Sequence, residues 1–230
     1  LNEEFSFDNF ESFYTSITVK SQKSIEPKKL RSPIINVCAC DYQLKEPFVE
    51  NFYKNCLKDE FEKISNINLL DDLSNENFQN AINNRRSIRA FNNESILEED
   101  FLFITKNIFE FATNFGIEIY FVNNNIKEMK KGLYKNVSLL KEGDFRDKIT
   151  LLGVNQKICG QSAFTLIFSC KANHNYFYSY ILTGFISQIL YLRTTTLNLS
   201  CSGIGAYFDE ETKEFLNTKN NIFYLFAIGK

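Results

Sequence analysis

Arg85-Arg86-Ser87-Ile88-Arg89-Ala90-Phe91 is the stretch on which the reading of this chain turns, because three guanidiniums and a hydroxyl crowd its first five positions. Arginine matches phosphate better than any other side chain: its planar fork donates paired, charge-assisted hydrogen bonds and does not lose its proton. In an extended segment, alternation places Arg85, Ser87 and Arg89 on one face and Arg86 on the other. The three donors then converge on one anion, a candidate phosphate cradle. Helix signals flank the stretch. Ser74 with Phe78, Ala81 and Ile82 predicts a short amphipathic helix leading into it. Ser95-Ile96-Leu97-Glu98 matches a capping box, opening a helix with Leu97, Phe101, Ile104 and Ile108 on one core-facing stripe. Far along the chain, Ser202-Gly203-Ile204-Gly205-Ala206-Tyr207-Phe208-Asp209 reads as a glycine-bearing loop. Its two Cβ-free positions would allow a close approach to the backbone.

Working outward, residues 117–122 read as a strand with Asn123-Asn124-Asn125 as its turn, and a second pair follows at 132–134 and 137–140. Residues 145–152 predict a helix, 163–169 a fully buried strand, 209–216 a helix and 222–228 the last strand. Helices and strands without strict βαβ alternation indicate an α+β fold. Residues 176–192 carry no charge. Arg193 ends that run before about twenty apolar residues accumulate, so it reads as a buried central helix and not a membrane span. Ser179, Thr183 and Ser187 recur on one face of it, where another helix could pack closely. Residues 1–70 hold all three prolines and a basic run at 20–31, with a helix expected over 48–64 from Phe48, Phe52, Cys56 and Leu57. They read as an extension or the remnant of a preceding domain, and residues 71–230 as the main domain.

At 230 residues the chain supports one good core plus that extension. A net charge of -2 gives no basis for binding nucleic acid or an anionic membrane surface. The six cysteines form no C-x-x-C pair, which disfavours zinc and a disulfide framework, and no secretory segment opens the chain; a reducing, cytoplasmic setting is expected. The single histidine, His174, sits in a polar stretch read as a loop, so neither a Ser-His-Asp triad nor a histidine metal site is supplied. Acidic runs at Glu98-Glu99-Asp100 and Asp209-Glu210-Glu211 sit at helix starts, where they complement the helix dipole. A chain this poor in acid–base groups suits chemistry carried by a cofactor.

Taken together, residues 85–91, Gly203 to Asp209 and the closing Ile228-Gly229-Lys230 resemble the flavin-dependent nitroreductase superfamily. The resemblance implies an α+β fold with an antiparallel or mixed sheet, packed by helices, and a long central helix at a homodimer interface. It further implies FMN held by Arg85, Arg86, Ser87 and Arg89, with Gly203, Ile204, Gly205 and Ala206 framing the ring and Lys230 adding charge near the phosphate. Electrons would pass from NADH or NADPH to a nitro, quinone or related small acceptor, with no metal and no assigned catalytic side chain. Lys131-Gly132-Leu133-Tyr134 and the helix at 178–192 look most like the branch containing azoline-oxidising dehydrogenases. Where many relatives carry a Pro-Ser-Ala-Gly-type loop, this sequence has Glu110-Phe111-Ala112-Thr113-Asn114-Phe115-Gly116. Where the azoline enzymes use a Lys-Tyr pair, it has Cys170-Lys171. A peptide-modifying dehydrogenase and a non-catalytic scaffold or half of a tandem protein stand as alternatives.

Overall fold

Strand β4, Phe164–Cys170, is buried at all seven positions, as a strand must be when it has neighbours on both sides and helices on both faces. In the computed structural model it pairs antiparallel with β1 (Ile117–Asn123) and with β6 (Asn221–Gly229). Beyond β1 lie β2 (Gly132–Lys135) and β3 (Ser138–Glu142), and beyond β6 lies β5 (Ser200–Ile204). The six-stranded order is β3-β2-β1-β4-β6-β5, antiparallel at every ladder. The structure describes residues 73–171 and 176–230, together with Pro47 and Leu69. Of the chain's two units, Leu1–Asn55 and Cys56–Lys230, all but Pro47 of these belong to the second. The helix expected over 48–64, and His174, lie outside the described residues.

The period of two along the strands sorts their side chains between two cores. Ile117, Ile119 and Phe121 of β1, Phe164, Leu166 and Phe168 of β4, and Phe226 and Ile228 of β6 face one side. There they meet Phe101 of α2 (Glu98–Thr105), Ile108 of α3 (Ile108–Asn114) and Leu182, Ile186 and Leu190 of α6 (Tyr176–Thr196). Tyr120, Val122, Ile167, Leu225 and Ala227 face the other side, against α4 (Arg146–Leu152), α5 (Ile158–Gln161) and α7 (Asp209–Leu216). Helix α1 (Asn75–Asn84) sets Ala81 against Leu192 of α6. Ser74 caps it as expected, accepting the Asn77 N–H at 3.2 Å, although Ile82 of the predicted apolar face is exposed.

Three local expectations are corrected. Ser95 does not cap α2, because the Ile96 N–H donates to the Asn125 carbonyl (3.2 Å) and the Ile96 carbonyl accepts from Lys127 N–H (2.9 Å), holding this segment extended beside Ile126. The helix starts two residues later, where the Leu97 N–H donates to Asp100 Oδ2 at 3.3 Å. The predicted stripe is broken: Asn107 takes a left-handed conformation (φ 61°) between α2 and α3, and Leu97 is exposed while Phe101, Ile104 and Ile108 are buried. Arg193 does not end the central helix, which runs on to Thr196. Its guanidinium is wholly buried and donates to the carbonyls of Ile104 (3.1 Å), Lys106 (2.7 Å) and Leu69 (2.6 Å), tying the end of α2 to α6. Residues 110–116 are mostly helical too, forming α3 and a turn at Gly116 (φ 72°) into β1.

Candidate functional site

The arginine segment is extended, as its alternation requires. Ser87 pairs with Cys201 of β5 in a parallel bridge, and the Ile88 N–H donates to the Cys201 carbonyl at 3.1 Å. Arg85, Ser87 and Arg89 therefore face one neighbourhood. The Arg85 guanidinium lies 5.2 Å from the centroid of the Tyr191 ring, Ser87 Oγ is 2.7 Å from the Tyr191 hydroxyl, and Arg89 donates to Ser202 Oγ at 3.0 Å. Arg86 points the other way. Its guanidinium donates to the carbonyls of Asn83 (3.0 Å) and Arg85 (2.8 Å), satisfying the end of α1. Ser87 and Arg89 are exposed and Arg85 is half-buried.

The glycine segment is divided between a strand and a loop, which corrects its reading as one loop. Gly203 and Ile204 end β5, with Ile204 buried in the second core. Gly203 N–H donates to the Tyr191 hydroxyl at 3.2 Å. A Cβ at this glycine would overlap the Tyr224 hydroxyl, so the residue is bare to admit the Tyr224 ring. At Gly205 an added Cβ would meet no atom within 4 Å. The loop over 205–208 is anchored from α4 and the turn after it: Gln156 Nε2 donates to the Ala206 carbonyl (3.2 Å), and the Phe208 N–H to the Leu152 carbonyl (2.9 Å). Lys230 is exposed, and its carbonyl accepts the Asn92 N–H at 2.7 Å, so the end of β6 lies alongside the arginine segment.

Tyr191 also borders a cleft of about 270 Å³ that its sequence context does not announce. Tyr180, Thr183, Gly184, Ser187, Gln188 and Tyr191 line it from one stripe of α6, and Tyr224 of β6 completes it. Thr183 and Ser187 are buried, and their hydroxyls have no hydrogen-bond partner among the described residues. The stripe read as a contact face for another helix is buried at Ser179, Thr183 and Ser187, and two of its three hydroxyls border the cleft. A row of neutral polar and aromatic side chains at helical spacing was the available signal. Tyr191 is held edge-on against Phe226, with centroids 5.0 Å apart and planes at 88°. Burial raises the Tyr224 phenol above its ordinary pKa, and the nearby Tyr191 and Tyr180 phenols add to this, so Tyr224 stays protonated.

The sequence profile of the nitroreductase family matches residues 82–230, a span holding the arginine segment, the cleft and the last strand. The chain belongs to the nitroreductase family. A provisionally named nitroreductase of Methanocaldococcus jannaschii is 19% identical over 187 residues, covering 70% of this chain and 94% of that protein. Among solved structures, a nitroreductase-like protein of Anabaena variabilis superposes with a TM-score of 0.58 at 20% identity, over 66% of this chain but only 38% of its own. Nitroreductase A of Vibrio parahaemolyticus gives 0.52 at 17% identity, over 68% of each chain. YcnD of Bacillus subtilis, described as a hypothetical oxidoreductase, gives 0.52 at 17% identity, over 66% of this chain and 65% of its own. These likenesses establish the nitroreductase-like α+β fold.

Within this family member, few side chains near the site can serve acid–base or nucleophilic chemistry. Among the described residues no charged one lines the cleft. Burial pushes the Cys201 thiol, beside Ser87, up to about 12, too high for a thiolate at neutral pH. Among the described residues no group of His, Cys, Asp and Glu could hold a metal ion, and no helix is long and apolar enough to cross a membrane.

Proposed function

We propose that this chain is an FMN-dependent oxidoreductase that acts as a homodimer in the cytoplasm and passes electrons from NADH or NADPH to a nitro, quinone or related small acceptor. One observation carries the reading: a cationic, exposed segment and a charge-free aromatic cleft meet at Tyr191. The residues present suit the two ends of FMN. Arg85 and Arg89 offer charged donors to a phosphate, with Ser87 between them. Thr183 and Ser187, buried without partners among the described residues, are available to the polar edge of a heterocycle, since an unsatisfied buried hydroxyl is costly. Gly205 leaves open space beside β5, and Ile204 and Ala206 flank it. Arg86 and Lys230 add positive potential at the rim.

The redox chemistry is what a flavin supplies when bound. The chain's own residues bind, orient and exclude water. Tyr180, Tyr191 and Tyr224 give flat surfaces for stacking a planar acceptor, and the neutral lining admits one without a desolvated countercharge. Among the described residues no carboxylate lines the cleft, and in this reading solvent supplies the proton that reduction of an acceptor consumes. Phe185, outside the cleft, is exposed on α6 and is available to the second subunit. Residues 71–230 are the FMN-binding domain in this reading and 1–70 an extension. The narrower azoline-dehydrogenase reading draws on Lys131-Gly132-Leu133-Tyr134. Sheet order puts β2 at the opposite side from β5, with three strands between them.

Purified protein, with FMN added, tests the proposal. A yellow species that bleaches anaerobically with NADH or NADPH and recovers with a quinone or nitroaromatic is expected. In titrations of apo-protein, Arg85→Ala and Arg89→Ala should each weaken FMN by roughly ten- to a hundredfold, from the loss of one charged hydrogen bond. A colourless protein that gains no thermal stability from FMN would overturn the reading in favour of a scaffold. Turnover of an azoline peptide, but not of quinones, would favour the narrower branch.

A further inference from the structure

We propose that Tyr191 is a positioning residue of the anion cradle: its hydroxyl carries a hydrogen bond from the Gly203 N–H to the Ser87 oxygen and so leaves the Ser87 proton free to face a phosphate. The inference rests on the reading of residues 85–89 as a phosphate site. Its basis is the donor and acceptor count at one oxygen. A tyrosine hydroxyl has one proton to give and accepts through its lone pairs. The Gly203 N–H, 3.2 Å away, can only donate, so Tyr191 accepts there. The 2.7 Å contact to Ser87 Oγ can run in either sense. Were Ser87 the donor, its proton would be spent on Tyr191 and the Tyr191 proton would have no acceptor in this pair of contacts. With Tyr191 as donor, both contacts are satisfied and the exposed Ser87 keeps its proton for an incoming anion.

The three groups are fixed by separate elements. Gly203 lies in the β5–β6 ladder, opposite Phe226. Tyr191 projects from α6 and is braced edge-on by the same Phe226. Ser87 is pinned to β5 by the Ile88–Cys201 hydrogen bond. Arg85 lies over the Tyr191 ring, so one guanidinium sits at the flank of the relay. Serial hydrogen bonds polarise one another, and an anion accepting from Ser87 strengthens the whole series. The arrangement therefore pre-aims a hydroxyl that a free serine rotor would have to orient on binding.

The test uses the full chain and three ligands: FMN, riboflavin, which lacks the phosphate, and pyrophosphate alone. Tyr191→Phe keeps the ring and its Phe226 contact while removing the relay. It should weaken FMN and pyrophosphate about three- to tenfold, the scale of one neutral hydrogen bond, and leave riboflavin unchanged. Because Tyr191 acts through Ser87, the double variant with Ser87→Ala should bind no worse than Ser87→Ala alone. In the unmutated protein, pyrophosphate should shift the Gly203 amide proton resonance downfield, and in Ser87→Ala it should not; this readout holds even if Tyr191→Phe folds poorly. Tighter anion binding by Tyr191→Phe would show that the hydroxyl competes with the anion and would overturn the proposal. Additive losses, an equal loss of riboflavin affinity or an unmoved Gly203 amide would overturn it too. Pyrophosphate binding that depends on Tyr191, without any FMN or riboflavin binding, would remove the flavin reading and leave the relay standing. No anion binding at all would remove both.

Discussion

Replacing Gly203 with alanine tests how β5 and the cleft are joined. Gly203 pairs with Phe226 in the β5–β6 ladder, which places Tyr224 two residues away on the neighbouring strand, within diagonal reach across the sheet. A methyl group at Gly203 would overlap the Tyr224 hydroxyl and approach Cζ to 2.5 Å and Cε1 to 2.8 Å. All three atoms belong to one side chain and none to the backbone, so the tyrosine ring must move while the ladder stays. Overpacking of this kind costs about 1–3 kcal/mol. For a domain of this size that corresponds to a fall in Tm of roughly 2–12 °C. Urea denaturation would measure it, with Tyr224→Ala as the second arm of a double-mutant cycle. The double variant should be more stable than the sum of the single losses by at least about 1 kcal/mol, because removing the ring makes room for the methyl. Gly205→Ala is the control, expected to stay within about 0.5 kcal/mol of wild type since nothing lies near its Cβ. If Gly203→Ala unfolds at the wild-type urea concentration, or the two changes add, the steric account is wrong.

Arg193→Met should destabilise the fold by about 3–5 kcal/mol in urea, because it orphans carbonyls of Leu69, Ile104 and Lys106, and Arg193→Lys should recover only part. Burial works to raise the Glu118 pKa, yet hydrogen bonds from Lys135 and Tyr120 and the charges of Lys135 and Lys171 outweigh it and hold the carboxyl below its ordinary value. A carboxylate depressed in this way adds stability above its unfolded pKa and loses it as pH falls through the folded one. Glu118→Gln should therefore be less stable than wild type at neutral pH, with the gap closing in acid; a gap that persists at low pH would contradict this. Phe185→Glu puts a charge on the exposed face of α6 and should give monomer by light scattering if that face joins two copies.

What could be read from the sequence was what local chemistry alone fixes. The seven buried positions of β4, the Ser74 cap and the alternation of Arg85, Ser87 and Arg89 all follow from period and residue type. β5 did not, because Ser200, Cys201, Ser202 and Gly203 are small and weak strand formers. They become a strand only by pairing with β6 and lying under Tyr224. Ser95 fits the cap pattern, but pairing of Ile96 beside Ile126, thirty residues on, outweighs a local cap. The contacts of Tyr191 were hidden for the same reason: its spacing places it in the cleft-lining row of α6, but only the fold brings Ser87 and Gly203 to its hydroxyl.

The pairing of Ser87 with Cys201 has a second effect, on aggregation. A sheet's outermost strands offer unpaired backbone groups that can recruit other chains. At β5 the arginine segment lies along the margin, engages the Cys201 carbonyl, and surrounds it with like charges that repel another strand. At the opposite margin all five residues of β3 are exposed, including Leu139 and Leu140. Its guards are a bulge at Leu133/Tyr134 and the charges of Lys141 and Glu142. The two ends of the sheet are therefore unequally defended, and self-association of a partly unfolded chain would begin at β3. Any anion that stiffens the arginine segment also keeps the other margin shut.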